Sequence, residues 1–347
     1  MRRSATARFA AGSAVALSWI AATLKSACLP WARGGTFRAA HPPSRLTGQS
    51  TSPSITPGVG GGTDAALARR RPARLLRGTR PLKRWRYVGI FGEELMACAA
   101  LVQIGPARQS FWALKLPGAA MRERTRMLPR RRELELVVGS RGAAGAGAHG
   151  APGAQPGRLV IADRGVGLDL TLDEEAGIEA LCPHGRFEVW TRKQAGVRAH
   201  GTLAVDGGSA REIEARAVID DTAGHHARHT EWRWSAGVGE GPDGEQLAWN
   251  LVAGVNDPPS GSERAVWIAG RPSEAPPVSF ANDLSRVSCE DGSELHFHAQ
   301  AQRSRRENLV LLSSDYRAPF GTFSGTLPGG VDLAHGLGVM EHHRARW

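Results

Sequence analysis

The sequence predicts an all-β protein whose strands form two β-barrel or β-sandwich lobes. From about residue 81 onward, short apolar or aromatic runs are separated by tight, Gly-containing turns, which is the pattern of antiparallel hairpins. Two of these runs, 212–219 and 294–302, alternate cleanly between apolar and polar residues, so each offers one face to a core. No stretch after residue 80 has the periodicity of a long amphipathic helix. Many short strands protect their edges best when sheets close into barrels or sandwiches.

The strands can be assigned in order along the chain. A Gly- and Ala-rich insert at 139–157 interrupts the first half and is predicted to be flexible. Turn signals such as Asp206-Gly207-Gly208 and Pro242-Asp243-Gly244 separate later runs. The predicted strands are 85–91, 95–104, 109–114, 134–138, 158–162, 167–172, 187–191, 197–205, 212–219 and 294–302.

The strongly basic charge of the chain is confined to its beginning. The formal net charge is +11 over 347 residues. Residues 1–80 contain thirteen Lys and Arg and a single acid, Asp64, which leaves a net charge of −1 for the rest of the chain. The globular part therefore lacks the basic footprint that phosphate backbones require, and nucleic-acid binding is not expected.

Residues 1–77 are predicted to form a disordered basic leader. Residues 29–66 are rich in Pro, Gly, Ser and Thr and show no apolar periodicity. The segment 9–27 has a positive start, an apolar core and small residues, as a secretory signal does. The alternative is an over-long gene start with no role. Because the apolar core is too short to span a bilayer, no stable membrane span is predicted. We expect a cytoplasmic protein, or an exported one if segment 9–27 is a working signal.

Cysteine usage favours the reducing cytoplasm over export. Cys28, Cys98, Cys182 and Cys289 are far apart and form neither a CxxC pair nor a metal-ligand spacing. Cys98 and Cys182 lie in apolar surroundings, where cysteine behaves as a small core residue. This pattern is compatible with both compartments and favours the cytoplasm.

Several long blocks of this sequence resemble DUF2804, a family to which no activity is assigned. The resemblance covers about residues 78–347 and leaves out the leader. The insert at 139–157 looks like a local expansion relative to the family. The blocks that carry the resemblance are 80–89 (RPLKRWRYVG), 190–196 (WTRKQAG), 220–234, 249–252 (WNLV) with 254–257 (GVND), and 316–321 (YRAPFG).

At the start of the second half of the chain, an acid is followed after a short gap by a Trp-x-Trp pair, Trp232 and Trp234. This order is also similar to the layout of two-lobed lipocalin-like proteins. These include carotenoid hydratases of the hydroxyneurosporene synthase type, tocopherol cyclase and fungal cyclases of the Diels–Alder kind. The resemblance implies two lipocalin-like antiparallel lobes with a hydrophobic ligand between or inside them. We place the lobes at 78–208 and 209–347, meeting near 206–212. We expect these tryptophans to be largely buried: Trp85, Trp112, Trp190, Trp232, Trp234, Trp249 and Trp267.

The segment 220–234 is the predicted functional site. It concentrates three acids, three histidines, two arginines and two tryptophans in fifteen residues. Strand parity puts Asp221 on the apolar face of Ile219 and Asp220 on the opposite face. A carboxyl group on an apolar face has a raised pKa and could donate a proton, so Asp221 is a candidate catalytic residue and Asp220 a ligand-binding one. The alternative is that the pair caps the turn at 222–224.

Other residues of the segment have two interpretations each. Trp232 and Trp234 share a strand face and could form the floor of a site for a flat apolar ligand, or could pack the core. His229, next to Arg228, could act as a general acid or base, or could be a satisfied polar residue on a strand. Arg228 is a candidate ligand-binding residue because it is adjacent to His229 within this segment.

Four further candidates lie outside the segment. Glu341, on the closing strand, is a second candidate catalytic carboxylate, or a solvated strand end. Arg317 could clamp a ligand carboxylate, pair with Asp221 across the barrel, or form a structural ion pair. Asn250 is predicted to point inward, and Asp257 to lie in a loop entered from a strand, and both are candidate ligand-binding residues. We expect Asp221 to face Arg317 and Glu341 in one cavity.

No metal and no cofactor is predicted. The histidine pairs 225/229, 296/298 and 342/343 do not supply the three or four ligands of a zinc site. The glycines are scattered in turns, so the sequence contains no phosphate-binding loop, nucleophile elbow or dinucleotide fingerprint.

Two functions from different classes remain open. The first is a cofactor-free enzyme of the hydratase, isomerase or cyclase type that acts on a small apolar or isoprenoid-like molecule. The second is a non-catalytic binding or carrier protein for a similar molecule. A raised carboxyl pKa inside a cavity would favour the enzyme, and a cavity lined by satisfied ion pairs would favour the carrier.

Overall fold

The computed structural model describes residues 75–139, 155–309 and 312–346. Within these ranges the regular secondary structure is β-strand throughout, which confirms the all-β prediction. None of the described residues forms a helix that could cross a membrane. The predicted leader up to residue 74, and residues 140–154 of the predicted flexible insert, lie outside the described residues.

The first half of the described chain folds into a ten-stranded antiparallel sheet that curls into a half-barrel, preceded by a short two-stranded hairpin. The hairpin is β1 (Leu76–Arg77) and β2 (Arg80–Pro81); the sheet contains β3 (Lys83–Gly92), β4 (Leu95–Ile104), β5 (Ala107–Lys115), β6 (Arg122–Arg126), β7 (Leu134–Val137), β8 (Gly157–Asp163), β9 (Val166–Leu172), β10 (Ile178–His184), β11 (Phe187–Val205) and β12 (Arg211–Gly224). The hydrogen-bonded order is β6-β5-β4-β3-β12-β11-β9-β8-β7, and β10 pairs with β11.

The remaining described strands form a second curled antiparallel sheet. They are β13 (His229–Glu240), β14 (Gln246–Ala253), β15 (Ala265–Ile268), β16 (Arg271–Glu274), β17 (Val278–Phe280), β18 (Arg286–Cys289), β19 (Glu294–Leu309), β20 (Leu312–Leu327) and β21 (Val331–Arg346). Their order is β16-β15-β14-β13-β21-β20-β19-β18-β17, so the closing strand β21 lies next to β13.

Strand alternation gives the described part of the chain three apolar layers. One fills the interior of each half-barrel, and the third lies where the two sheets face each other. In this third layer, Tyr87 of β3 packs edge-on against Trp234 of β13, with ring centroids 5.4 Å apart. Phe91 and Phe320 meet across the same layer at 6.3 Å. We name the surfaces of both sheets that meet here the interlobe face.

The alternation of β12 shows how the second sheet changes the environment of the first. The residues predicted to face the core, such as Ile213 and Ile219, lie inside the first half-barrel. The opposite side of β12 starts exposed at Glu212 and Glu214 and becomes buried at Val218 and Asp220. The second sheet covers this later part of the strand, so a side that is polar in the sequence becomes an interior surface.

The change from one sheet to the other comes later than the predicted boundary at 208/209. Residues 211–224 form β12, which pairs with β11 and β3 of the first sheet, and the second sheet begins at His229. The turn at Asp206 and Gly207 is an ordinary hairpin turn within one sheet, with φ values of 53° and 76°. The chain therefore crosses between sheets at 225–228, inside the predicted functional segment.

The expected burial of the tryptophans separates them into two groups. Five of the seven are buried, from the completely covered Trp249 to Trp190, which keeps 9% of its surface exposed. Trp85 and Trp232 are half-buried, and both lie against the interlobe layer. The two indoles that remain in partial contact with solvent thus belong to the region between the sheets.

Candidate functional site

The adjacent carboxylates Asp220 and Asp221 point to opposite sides of β12, as strand parity predicts. Asp221 points into the end of the first half-barrel. Arg86 Nη1 lies 2.8 and 3.0 Å from its two oxygens, and Arg192 Nη2 lies 2.8 Å from Oδ2. Glu174 binds the same two guanidinium groups. Two arginines and two carboxylates therefore form one buried network.

This network separates Asp221 from the other predicted site residues. Its partners are Arg86 and Arg192 instead of the predicted Arg317, whose Nε donates to Gln302 Oε1 at 2.8 Å on the exposed side of the second sheet. Glu341 points into the interlobe face. The expected cavity shared by Asp221, Arg317 and Glu341 is not formed, because the three side chains leave their sheets on different sides.

Asp220 enters an ion cluster on the interlobe face. The Lys193 ammonium lies 2.7 Å from Asp220 Oδ1 and 3.3 Å from Glu263 Oε1. The Trp85 indole N–H donates to Asp220 Oδ2 at 2.9 Å. Asn256 Nδ2 donates to Glu263 Oε2 at 2.9 Å. One ammonium is thus shared by two carboxylates, and we name Lys193, Asp220 and Glu263 the Lys193 cluster.

Burial and charge act in opposite directions on the Lys193 cluster. Burial alone would lower the pKa of Lys193, but the neighbouring Asp220 and Glu263 raise it, so the amine stays an ammonium. Burial raises the pKa of Glu263; Lys193 counters this shift and Asp220 adds to it. The ammonium of Lys193 therefore binds both carboxyl groups, and the pKa of Glu263 remains raised.

A second buried carboxyl group, Glu341, has a different environment. The Trp232 indole N–H donates to Glu341 Oε1 at 2.7 Å, and the Tyr316 hydroxyl also hydrogen-bonds this carboxyl. The ring of His343 packs at 4.3 Å from Trp232 and at 5.5 Å from Tyr316. We name Glu341, Trp232, Tyr316 and His343 the Glu341 cluster.

The Glu341 cluster keeps its acid partly protonated at neutral pH. Burial raises the pKa of Glu341 to about 7, although the hydrogen bonds from Trp232 and Tyr316 oppose the shift. Burial likewise lowers the pKa of His343 to about 3, so this imidazole is neutral. A carboxyl group with such a pKa can both donate and accept a proton near neutrality, which is the requirement for general acid–base catalysis.

Half-buried aromatic and apolar side chains lie along the interlobe layer, and two of them, Trp232 and Tyr316, contact Glu341. Those packed against the interlobe layer without being fully buried include Trp85, Val102, Phe111, Trp232 and Tyr316. They come from both sheets, since Phe111 lies 6.4 Å from Tyr316. We name these five residues the aromatic rim. Glu341 itself is buried beside this rim.

Arg303 connects the two sheets at the aromatic rim. Its guanidinium carbon lies 4.1 Å from the centroid of Phe111 and 5.1 Å from that of Tyr316. Its Nη2 donates to Thr125 Oγ1 at 2.8 Å, and its Nε lies 3.1 Å from Glu123 Oε2. This buried arginine holds β19 against β5 and β6, and its positive charge favours an ionised Glu341.

The other predicted site residues do not lie in one place: two are buried, two are exposed and one lies in a loop. Trp234 and Asn250 are buried together, since the indole N–H donates to Asn250 Oδ1 at 2.8 Å. Arg228 and His229 are exposed. Asp257 accepts a hydrogen bond from the backbone N–H of Gly254 at 2.7 Å and so orders its own loop.

An open pocket of about 390 Å³ lies beside the crossing between the sheets. Its wall includes His184, Ala227, His229, Asn256 and Asp257. His184 Nε2 lies 3.0 Å from Asn256 Oδ1, which links the pocket to the Lys193 cluster through Glu263. In residues 75–139, 155–309 and 312–346, no group of three or more His, Cys, Asp and Glu could hold a metal ion.

Sequence reasoning missed Lys193, Glu263, Arg303 and Tyr316. A signal existed for Lys193 and Tyr316, since both lie in blocks that resemble the family, at 190–196 and 316–321. The structure places Lys193 in the middle of β11, whereas the sequence pattern places it between the predicted strands 187–191 and 197–205. Nothing local marks Glu263 or Arg303, because their roles come from contacts with the opposite sheet.

Replacing Trp232 by Phe should raise the pKa of Glu341 above about 7. The indole N–H stabilises the carboxylate form, and Phe keeps the ring while removing this donor. The pKa can be followed by NMR of protein labelled with ¹³C at the glutamate carboxyl. Trp190→Phe, which removes an indole donor to Glu179 on a different strand pair, is the matched control and should leave Glu341 unchanged. An unchanged Glu341 pKa in Trp232→Phe would contradict the assignment.

One family model and several solved structures are similar to this chain. Residues 157–347 match the family described as a domain of unknown function, DUF2804. No curated protein sequence matches the chain. Among solved structures, an AttH-type protein from Nitrosomonas europaea is similar at 12% identity and a TM-score of 0.45, over 78% of this chain and 97% of that one. Kievitone hydratase from Nectria haematococca is similar at 12% identity and a TM-score of 0.47, over 84% of this chain and 98% of that one.

At these identities and TM-scores the structural likeness carries no functional argument. The family match is different, because it covers more than half of the chain and contains β8 to β21. It includes Glu341 and Trp232 of the Glu341 cluster and all of the Lys193 cluster, whereas Trp85 and the other residues of β3 precede it. The chain therefore belongs to the DUF2804 family.

Proposed function

We propose that this protein is an acid–base enzyme that acts on a small, unsaturated apolar molecule bound between its two sheets, with Glu341 as the proton donor. The observation that carries this proposal is the carboxyl group of Glu341, buried beneath the aromatic rim with a pKa of about 7. A group of this kind is partly protonated at neutral pH and lies in surroundings that favour an apolar ligand.

The surroundings of Glu341 suit proton transfer to a carbon–carbon double bond. The proton adds to one carbon and leaves a cation on the other. The faces of Trp232 and Tyr316 can stabilise that cation, and the nearby charge of Asp220 adds to the effect. Addition of water to the cation, followed by loss of a proton to the Glu341 carboxylate, completes a hydration. Loss of a different proton to this carboxylate completes an isomerisation. Attack by a second double bond moves the cation to a new carbon, and loss of a proton from there completes a cyclisation.

This proposal moves the catalytic acid from Asp221 to Glu341. Two guanidinium groups bind the carboxyl oxygens of Asp221 in the first half-barrel. Glu341 has hydrogen-bond donors in Trp232 and Tyr316, and both are neutral. The environment of Glu341 favours its protonated form, because burial raises its pKa.

The alternative is a carrier protein with no chemistry. The Lys193 cluster supports it, since Lys193, Asp220 and Glu263 neutralise one another on the same interlobe face. In a carrier, these ion pairs would only tie the two sheets together, and Glu341 would be a buried acid without turnover.

The experiment uses Glu341→Gln as a trap for the substrate. Wild-type protein and Glu341→Gln are purified without detergent, and each is extracted with organic solvent and analysed by mass spectrometry. We expect the variant to retain an apolar molecule that wild-type protein converts when the two are mixed. The mass change identifies the reaction: one added water for hydration, none for isomerisation or cyclisation.

The outcomes separate the two functions. Glu231→Gln is the control, because Glu231 is an exposed carboxylate on the same strand as Trp232 and pairs with His342 and Arg344. It should convert the trapped molecule as wild type does. The same unconverted molecule in all three extracts would establish a carrier and refute the enzyme, and the absence of any apolar molecule would refute both.

A further inference from the structure

Three arginine side chains gather around the buried ring of Phe187, which begins β11. The guanidinium carbons of Arg77, Arg80 and Arg186 lie 5.7, 5.0 and 5.0 Å from the centroid of this ring. Arg77 and Arg80 flank the turn of the β1–β2 hairpin, and Arg186 lies in the turn between β10 and β11. Two separate turns of the chain thus bring three positive charges to one aromatic ring. We name these four residues the Phe187 cluster.

The two turns hold the Phe187 cluster in a defined arrangement. Arg80 Nη1 donates to the carbonyl oxygen of His184 at 2.9 Å, which ties the hairpin to the β10–β11 turn. Gly185 adopts a φ of 71° in that turn, a conformation that favours glycine and lets the chain reverse within two residues. Guanidinium groups also stack favourably on aromatic rings. The positions of the charges are therefore set by the fold.

The charges of the Phe187 cluster have no acidic counterpart in the described part of the chain. None of the carboxylates there forms an ion pair with Arg77, Arg80 or Arg186. Their positive potential also acts on the interior, since burial and the charge of Arg80 lower the pKa of Lys83 to about 6. Like charges at this spacing repel one another, so a bound anion would stabilise the arrangement.

The open pocket of about 390 Å³ adjoins the Phe187 cluster. His184 and Gly185 line it from the first sheet, and a Cβ added to Gly185 would lie 3.8 Å from Arg80 Nη2. The second sheet and its loops contribute the carboxylates of Glu231 and Asp257 to the wall. An anionic group is therefore attracted to the arginine side of the pocket. The volume is that of a site for a small organic molecule.

We propose that the Phe187 cluster binds the phosphate group of a soluble phosphate monoester, whose organic part occupies the adjoining pocket. A phosphate monoester carries about −1.5 to −2 charges at neutral pH, which offsets most of three guanidinium charges, whereas a carboxylate offsets one. Guanidinium groups bind phosphate oxygens through pairs of parallel hydrogen bonds. Pro183, Val255 and Pro258 also line the pocket and can contact an apolar organic part. The site shares no residue with the Glu341 cluster, so it stands or falls independently of the proposed proton donor.

The first test measures the binding of phenyl phosphate to full-length protein by isothermal titration calorimetry at neutral pH and low salt. We expect one molecule to bind per chain, and Arg77→Gln and Arg186→Gln each to weaken binding at least about tenfold, because each removes charged hydrogen bonds. Both side chains are exposed, so neither change should impair folding. Arg271→Gln is the matched control: it removes an exposed guanidinium that does not line the pocket and should bind as wild type does.

The second test asks whether the organic part enters the pocket. Phenyl phosphate should bind wild-type protein more tightly than inorganic phosphate does, because its ring contacts the pocket wall. Ala227→Leu, which adds volume at the wall, should weaken the binding of phenyl phosphate and leave that of inorganic phosphate unchanged. Equal affinities of the two probes for wild-type protein would refute the assignment of the pocket.

The third test separates a soluble ligand from a lipid head group with the same chemistry. Phosphatidylcholine vesicles that contain phosphatidic acid, whose head group is a phosphate monoester, are sedimented with the protein. We expect no difference in co-sedimentation between wild type and Arg186→Gln. Vesicle binding that depends on Arg186, without binding of phenyl phosphate, would overturn the soluble ligand. The whole proposal fails if phenyl phosphate does not bind, or if Arg77→Gln, Arg186→Gln and Arg271→Gln all bind it equally.

Discussion

Asp221→Asn should lower the free energy of unfolding by about 3–5 kcal/mol, the cost of removing one partner from a buried ion network. Asn is almost the same size as Asp but has no charge, so Arg86 and Arg192 would share the single remaining carboxylate of Glu174. Urea denaturation of wild-type and variant proteins at neutral pH measures the difference.

The control for this effect is Asp169→Asn. Asp169 also binds an arginine, Arg158, with both oxygens and in the same sheet, but the pair is exposed. Solvent screens such pairs, so we expect a loss of about 0–1 kcal/mol. If Asp221→Asn is as mild as the control yet prevents conversion of the trapped molecule, then Asp221 is catalytic and the assignment of the acid to Glu341 fails.

As the pH rises from about 4.5 to about 7, the unfolding free energy of wild-type protein should fall relative to that of Glu341→Gln. Burial raises the pKa of Glu341 from 4.5 to about 7 in the folded state. Below about pH 4.5 the carboxyl group is protonated in both states. Between the two values only the unfolded chain loses the proton, so the folded state binds more protons and its stability falls with pH. The full change corresponds to about 3 kcal/mol.

The measurement is the difference in unfolding free energy between wild type and Glu341→Gln at about pH 4.5 and pH 8. Taking the difference removes the contributions of other titrating groups, including Lys83, whose lowered pKa acts in the opposite direction. Glu231→Gln, on the exposed side of β13, should show no comparable decline over this range. A constant difference between wild type and Glu341→Gln would mean that Glu341 has the same pKa in the folded and unfolded states. It would refute Glu341 as the proposed proton donor.

The local order of the chain was predictable because strands follow a two-residue period. The run at 212–219 shows which residues of β12 face the half-barrel, and continuing its parity correctly separates Asp220 from Asp221. Turn residues such as Asp206 and Gly207 mark the ends of strands for a local steric reason, since both adopt positive φ.

The partners of the buried charges were not predictable in the same way. Arg86 and Trp85 bind Asp221 and Asp220 over a separation of 135 residues, and Trp232 binds Glu341 over 109 residues. No local pattern specifies such pairs. The same applies to the sheet boundary, because the alternation of β12 is equally compatible with starting a second sheet or closing the first.

The fold class, most strand positions of the first sheet and the side of β12 that each acid occupies follow from the sequence alone, because they depend on alternation and turn chemistry within a few residues. The sequence also pointed to Glu341 as a carboxyl group of interest. The folded structure was needed to show that two arginines bind Asp221, whereas Trp232 and Tyr316 contact Glu341. The physical reason is that a carboxyl pKa depends on the burial and charges around it, and here the opposite sheet and distant strands supply them.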